Sequence, residues 1–546
     1  MNQNHFVVSG NIVDVVNSRI FQGSITVENE KIISVVEEQT DSENYILPGL
    51  VDAHVHIESS MLIPSEFAKL AVVHGTVATV SDPHEIANVL GVDGVKWMIN
   101  NGKKVPFKFY FGAPSCVPAT GFETSGAILG TKETQELLEM KDIHYLAEMM
   151  NFPGVIYGDA EVAEKLRLAK HFNKPIDGHA PGLMGDDLGK YANAGITTDH
   201  ECSTIDEAVE KIKLGIKVQI REGSAAKNFE DLFELINDYP EEIMFCSDDK
   251  HPDDLEKGHI NLLIKRAIAK GVDPLKIIRC CTYNPIKHYK MDVGLLQKND
   301  AADFIIVDNL KEFNVLKTFI SGKIVAENKI SKIESVKEIE INIFNCSPIS
   351  IDDIQVKANP EFENIKVIKV EDGQLLTQSL MVKPKIENGL IVPDLENDIL
   401  KMVVLNRYEF SKPAVAFVNN FGFQKGAIAS TIAHDSHNII AVGTNDEEIV
   451  KAINIVIEKK GGISLVNSDE ELSLKLGVAG LMSSEDAYYV SKKYSEISNK
   501  SKTLGTKLNA PYMTLSFMAL LVIPELKLSD KGLFDGNSFK WTEIYC

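Results

Sequence analysis

Pro48-Gly49-Leu50-Val51-Asp52-Ala53-His54-Val55-His56-Ile57-Glu58-Ser59-Ser60 reads as an apolar strand that ends in two histidines one residue apart. Side chains alternate faces along a strand, so His54 and His56 project to the same side. Two imidazoles on one rigid strand, with the Glu58 carboxylate just beyond, make a preformed grip for a divalent metal. A lone His-x-His also occurs on surface strands. What the chain repeats afterwards gives the motif its weight.

From Ile46 to Asp249 short β-rich runs alternate with amphipathic stretches long enough for crossover helices. The strands read as residues 50–56, 75–82, 107–115, 143–151, 174–179, 197–202, 218–222 and 243–248. Between them lie helical patterns such as Glu66-Phe67-Ala68-Lys69-Leu70-Ala71-Val72 and Glu161-Val162-Ala163-Glu164-Lys165-Leu166. Such alternation implies parallel strands with right-handed crossovers, and eight of them predict an α/β fold, a closed (β/α)8 barrel.

Polar residues recur at or just past the C-terminal strand ends, the face that carries active sites in this architecture. They are His54 and His56, Asp82 and His84, Glu148, His179, His200, and Asp248 with Asp249. Singly each has a bland explanation: His84 as a helix cap, His179 as a bonded core histidine, Asp248 as a turn cap. Their joint occurrence at strand ends argues for one site. Imidazoles from His54, His56, His179 and His200, with carboxylates from Glu148 and Asp248, suit zinc, iron(II) or manganese(II) over magnesium or calcium. Such a set holds two ions about 3.5–4 Å apart, Glu148 bridging and a hydroxide between them.

The segments PGLVDAHVHIESSM at 48–61, VSDPHEIANVLG at 80–91, LAEMMNFPGV at 146–155, DGHAPGL at 177–183, TTDHECS at 197–203, IREGSAA at 220–226 and CSDDKHPDDL at 246–255 carry a resemblance. With them the chain resembles the amidohydrolase superfamily and, within it, the bacterial-type adenine deaminases, over essentially its whole length. The resemblance implies a metal-dependent aminohydrolase that converts adenine to hypoxanthine and ammonia, with two divalent ions, manganese or iron(II) ahead of zinc. It implies His54 and His56 on the buried ion, His179 and His200 on the second, Glu148 where many relatives carry a carboxylated lysine, and Asp248 as the ligand that also takes the proton of the attacking water. Related deaminases place a glutamate shortly after the strand-five histidine as the acid for the ring. Here Ala180-Pro181-Gly182 follows His179, so that role passes to Glu201 first and Glu58 second. Asp249 is expected on the purine's imidazole nitrogen, and Arg221 with Glu222 on the substrate edge, the bland alternative for that pair being a surface ion pair.

Two other readings compete. A cyclic-amide hydrolase on the same metals predicts a lysine on strand four, where Leu146-Ala147-Glu148 offers a glutamate. A catalytically silent scaffold would have lost ligands, and all six candidates are present.

The 546 residues are too many for one core. A small β-sandwich is expected from residues 1–45 with 294–345, the barrel from 46–293, and a C-terminal α+β domain from 346–546. A net charge of −22 argues against nucleic acid as partner, which needs clustered Lys and Arg. Seven scattered cysteines without a Cys-x-x-Cys pair point to a reducing cytoplasm, and Cys202 and Cys246 to packing beside ligands. No signal peptide is read at the N-terminus, where residues 6–14 alternate like a strand. The apolar run 517–523, stopped by Pro524, is too short to cross a membrane. The family resemblance implies a homo-oligomer. In the C-terminal domain, His434-Asp435-Ser436-His437-Asn438 reads as a polar turn after a buried strand, with a role at the barrel entrance as the alternative to a plain turn.

Overall fold

The computed structural model describes residues 5–546. The strand that opens the motif, β1 (Leu50–Val55), is buried along its whole length. It is followed by β2 (Thr76–Ser81), β3 (Lys108–Ala113), β4 (Ile143–Met149), β5 (Ile176–Gly178), β6 (Thr198–Asp199), β7 (Lys217–Arg221) and β8 (Ile243–Cys246). Neighbours pair in parallel from β1 to β5 and again from β6 to β8. Two short seams close the ring. Thr197 N donates to Ile176 O at 2.9 Å, and Asp248 N donates to His54 O at 2.9 Å while His56 N donates to Asp248 O at 3.3 Å. All eight expected strands are present, each shorter at its C-terminal end than the sequence suggests. The last residues leave the ladder because their polar side chains turn to the barrel mouth.

The crossover helices form for local reasons. Ala160–His171 starts at Asp159, whose carboxylate accepts from the amides of Glu161 and Val162, and ends with Lys170 and His171 against the carbonyl end. Pro64 opens Pro64–Ala71, where a missing amide costs nothing. His84–Gly102 starts immediately after Pro83, so the residues after β2 are aimed by a helix start.

Beneath the site one carboxylate joins the first and last strands. Asp52, fully buried, accepts from Ser247 N at 3.0 Å, from Ser247 Oγ and from His259 Nε2 at 2.8 Å. Alternation along β1 sends Asp52, His54 and His56 to one side, so the residue under the ligands locks the seam that carries them.

The flanking strands form one hydrogen-bonded sheet drawn from both ends of the barrel, with Phe304–Val307 antiparallel to Tyr45–Pro48 and Tyr45–Pro48 parallel to His5–Asp14. This sheet therefore runs to Pro48, past the expected boundary at residue 45. Phe6 and Phe319 stack at 5.6 Å although two strands intervene in the sheet order, where a flat sheet would separate them by roughly 14 Å. The sheet thus folds over its own apolar core of Ile12, Ile25, Ile46 and Phe304.

In the C-terminal region a second eight-stranded sheet has Ile399–Leu405 and Ile439–Gly443 at its centre. Alternation gives it two apolar faces. Val403, Ala429 and Ala441 pack under the helix Asp446–Glu458, whereas Met402, Val404, Ile428 and Ile440 join the cluster that also contains the barrel core. The sheet is therefore bonded to the barrel by shared apolar burial. Among the described residues no helix is long and apolar enough to cross a membrane.

Replacing Asp52 by alanine strands the buried donors of Ser247 and His259, a loss of about 3–5 kcal/mol. The expected result is a clearly lowered thermal unfolding midpoint; an unchanged midpoint would refute the seam's role.

Candidate metal centre

The six expected ligands converge. His54 lies in β1, Glu148 in β4, and His56, His179, His200 and Asp248 follow the ends of β1, β5, β6 and β8. His54 Nε2 and His56 Nε2 are 3.1 Å apart. Asp248 Oδ1 stands 3.7 Å from the first and 3.3 Å from the second. Glu148 divides its carboxylate, with Oε1 3.4 Å from His56 Nε2, and Oε2 2.7 Å from His179 Nδ1 and 3.3 Å from His200 Nε2. Donor atoms bound ~2.1 Å from one ion stand roughly 3.4 Å from each other in a tetrahedron, so most of these separations match edges of coordination polyhedra.

Hydrogen bonding prepares the donors. His56 Nδ1 donates to the Asp82 carbonyl at 3.1 Å, which leaves Nε2 as the lone-pair atom facing the cluster. Asp199 holds both later loops, accepting from Ala180 N at 2.8 Å and Glu201 N at 2.9 Å, and is itself paired with the buried Lys211 at 3.0 Å. Asp248 has φ 53, a left-handed conformation that a non-glycine residue rarely adopts, and it turns the carboxylate inward.

Electrostatics favour a cation. Burial pushes the carboxyls of Glu148 and Asp248 up, yet both end well below the usual range, Glu148 through His179 and His200, Asp248 through Arg221 and His56. Burial pushes His56 and His200 down, yet hydrogen bonds to Asp248 and to Glu148 draw protons onto them. Burial, His200 and His56 hold His54 well down, so the protons are drawn onto His56, His179 and His200, beside two buried carboxylates whose charge divalent ions would balance. The residues fit a pair of them.

Other expected residues divide. Asp249 and Arg221 line the cavity, and Asp249 Oδ1 accepts from Ser59 Oγ at 2.6 Å. Arg221 joins two carboxylates, its Nη1 donating to Asp248 Oδ2 at 2.7 Å and to Glu201 Oε1, its Nη2 to Glu201 Oε2 at 2.9 Å. Glu222 is a correction. It follows Arg221 on the strand, so it points the other way, and pairs with Arg266 at 2.7 Å outside the cavity. Glu201 needs correcting as the ring acid. Arg221 takes both its oxygens and, against burial, holds its carboxyl far below the usual range, and it stands 3.3 Å from His200 Nε2 among the expected ligands. Glu58 is buried and does not line the cavity; burial and the neighbouring Glu85 push its carboxyl up to about 8.

Sequence reasoning placed Asp82 and His84 at a strand end but gave them no ligand role, and it left out other residues altogether. Asp82 and His84 complete a second face around Glu148, with His84 Nδ1 3.6 Å from Glu148 Oε1 and 3.4 Å from Asp82 Oδ2. Their Asp-Pro-His spacing at a strand end was the available signal. Glu85 lines the cavity from the following helix. The roof comes from the C-terminal region: Leu375, His434, Asp435, Phe517, Leu520 and Ile523. The apolar run 517–523 is thus a lining of the site. No local pattern announces that.

Two family models match, the amidohydrolase family over residues 45–325 and the adenine deaminase C-terminal domain over residues 374–540. Among relatives, the adenine deaminase of Methanosarcina mazei is 54% identical over 98% of this chain and 99% of its own. This chain belongs to the adenine deaminase family. Further members are the adenine deaminases of Salinibacter ruber, 49% identical over 99% of both chains, and Borreliella burgdorferi, 49% identical over 98% of both. The likeness runs through barrel and roof alike.

Glu148→Gln keeps the shape but removes the charge shared by both halves of the cluster. Metal analysis of the purified variant is expected to show at least one equivalent fewer per chain than wild type. Full metal content would contradict a shared ligand.

Proposed function

We propose that this chain deaminates adenine hydrolytically, giving hypoxanthine and ammonia, on two divalent ions held by His54, His56, Glu148, His179, His200 and Asp248. The observation that carries the reading is the cavity where His56, Glu148, His179, His200 and Asp248 lie opposite Phe517, Leu520, Val522 and Ile523, in a chain similar end to end to adenine deaminases. When bound, the ions supply an activated water at neutral pH and polarise the group under attack.

The residues supply the rest. Asp248, ionised and beside the ligand nitrogens, takes a proton from the attacking water and returns it to the departing amine. Water oxygen adds to carbon 6 as the ring nitrogen is protonated; the exocyclic carbon–nitrogen bond then breaks, ammonia leaves, and the remaining hydroxyl proton returns to the group that protonated the ring, leaving the carbonyl of hypoxanthine. The ring nitrogen needs a proton, and the Glu58–Glu85 pair is suited to give it: both carboxyls are raised by burial, and Glu85 opens onto the cavity. Arg221 fixes Asp248 and Glu201 in their ionised forms, and Asp249 meets the purine edge. Leu520, Val522 and Ile523 exclude water from the ring.

The metals are read as manganese or iron(II), with zinc next, since imidazole with carboxylate suits all three. A cytoplasmic homo-oligomer is the accompanying reading, and the seven free cysteines fit a reducing compartment. A cyclic-amide hydrolase is not favoured, because β4 carries Glu148 and no lysine.

Manganese-loaded protein should convert adenine to hypoxanthine with stoichiometric ammonia, followed by ultraviolet absorbance. Activity on a cyclic amide with none on adenine would reassign the substrate. Asp248→Asn should lower kcat by roughly 100-fold or more at unchanged fold, since it removes the proton carrier.

A further inference from the structure

The His434-Asp435-Ser436-His437-Asn438 turn joins two central strands of the C-terminal sheet, Ala427–Ser430 and Ile439–Gly443, and reaches into the barrel mouth. It is clamped along its length. Tyr408 Oη donates to the Ser436 carbonyl at 2.5 Å, Arg407 N donates to Asn438 Oδ1 at 3.2 Å, and Asn438 Nδ2 donates to the carbonyl of Thr124 in the barrel at 2.9 Å. The His434 ring is fixed as well: it stacks on Phe517 at 4.7 Å and 12°, and His437 packs across it at 5.6 Å. Nδ1 of this ring stands 3.4 Å from Glu85 Oε1 and 3.7 Å from Asp435 Oδ1.

Glu85 is only 1% exposed and has a free side. Its Oε1 accepts from Ser59 Oγ at 3.1 Å and faces His434, while its Oε2 has no hydrogen-bond partner. A buried carboxyl oxygen left unpaired is costly unless something else meets it. The cavity bordered by Glu85 is where a substrate meets it.

We propose that His434, carried by the C-terminal domain, is a positioning residue for the deamination, holding the Glu85 carboxyl over the metal-ligating residues and against the edge of the purine ring. The proposal rests on the deaminase reading above. It gives the C-terminal domain a part in the chemistry beyond roofing the cavity: its turn faces a barrel carboxyl that, among the described residues, takes its one side-chain hydrogen bond from Ser59. Glu85 and Asp435, against the downward push of burial, hold His434 up at about 9, which keeps Nδ1 a donor toward Glu85.

The test compares His434→Leu, His434→Asn, Glu85→Gln and the double variant His434→Leu/Glu85→Gln in the full-length, manganese-loaded protein. The readouts are kcat, KM, metal content and thermal midpoint. His434→Leu is expected to lower kcat about tenfold or more with KM, metal content and midpoint nearly unchanged. His434→Asn, whose amide nitrogen takes the place of Nδ1, should recover most of that loss. In the Glu85→Gln background, His434→Leu should cost little more, because a residue acting through Glu85 has nothing left to aim. Equal loss in the Leu and Asn variants, full multiplication of the two single losses, or the loss of a metal equivalent on changing His434 would each overturn the proposal. Failure of the wild-type protein to release ammonia from adenine would instead overturn the underlying reading.

Discussion

Glu148 turns one carboxylate oxygen toward His56 and His84 and the other toward His179 and His200. A single buried side chain thereby belongs to both halves of the cluster, and every other ligand is placed relative to it. The cost of burying that charge is met by imidazoles from four strand ends, which the protein can deliver together only if the barrel closes. Closure depends on the β1–β8 seam, where Asp52 gathers Ser247 and His259 beneath His54 and Asp248. Fold and chemistry share one constraint there.

A second carboxylate economy surrounds it. Arg221 pairs with Asp248 and Glu201 at once, whereas burial raises the carboxyls of Glu58 and Glu85 against the opposing pull of His56 on both and of His434 and His84 on Glu85. Carboxyls of the same type are thus held low or pushed high by what is packed against them. Lys211 does comparable work below, tying Asp199 and hence the two loops that carry His179 and His200.

The C-terminal sheet presents one apolar face to its own helix and the other to the barrel, so its position is set by burial and not by a linker. From that position it supplies the roof of the cavity and the turn that faces Glu85. The metal-ligating half and the covering half of the site thus come from distant parts of the chain, related only by packing.

The eight strands, their parallel order and the six residues expected to converge were legible in the amino-acid sequence because each is local: alternation sets which way His54 and His56 point, and a polar residue after an apolar run marks a strand end. The same locality explains the misses. Glu201 looks like an available acid until Arg221, twenty residues on, takes both its oxygens, and Glu222 looks like a substrate contact until strand alternation turns it toward Arg266. The apolar run 517–523 reads as an unremarkable core segment, and the turn at His434 as a loop of open meaning. Only tertiary structure decided that both meet Glu85 and the ligands, because burial and pairing depend on which surfaces are pressed together, and no stretch of sequence records its distant neighbour.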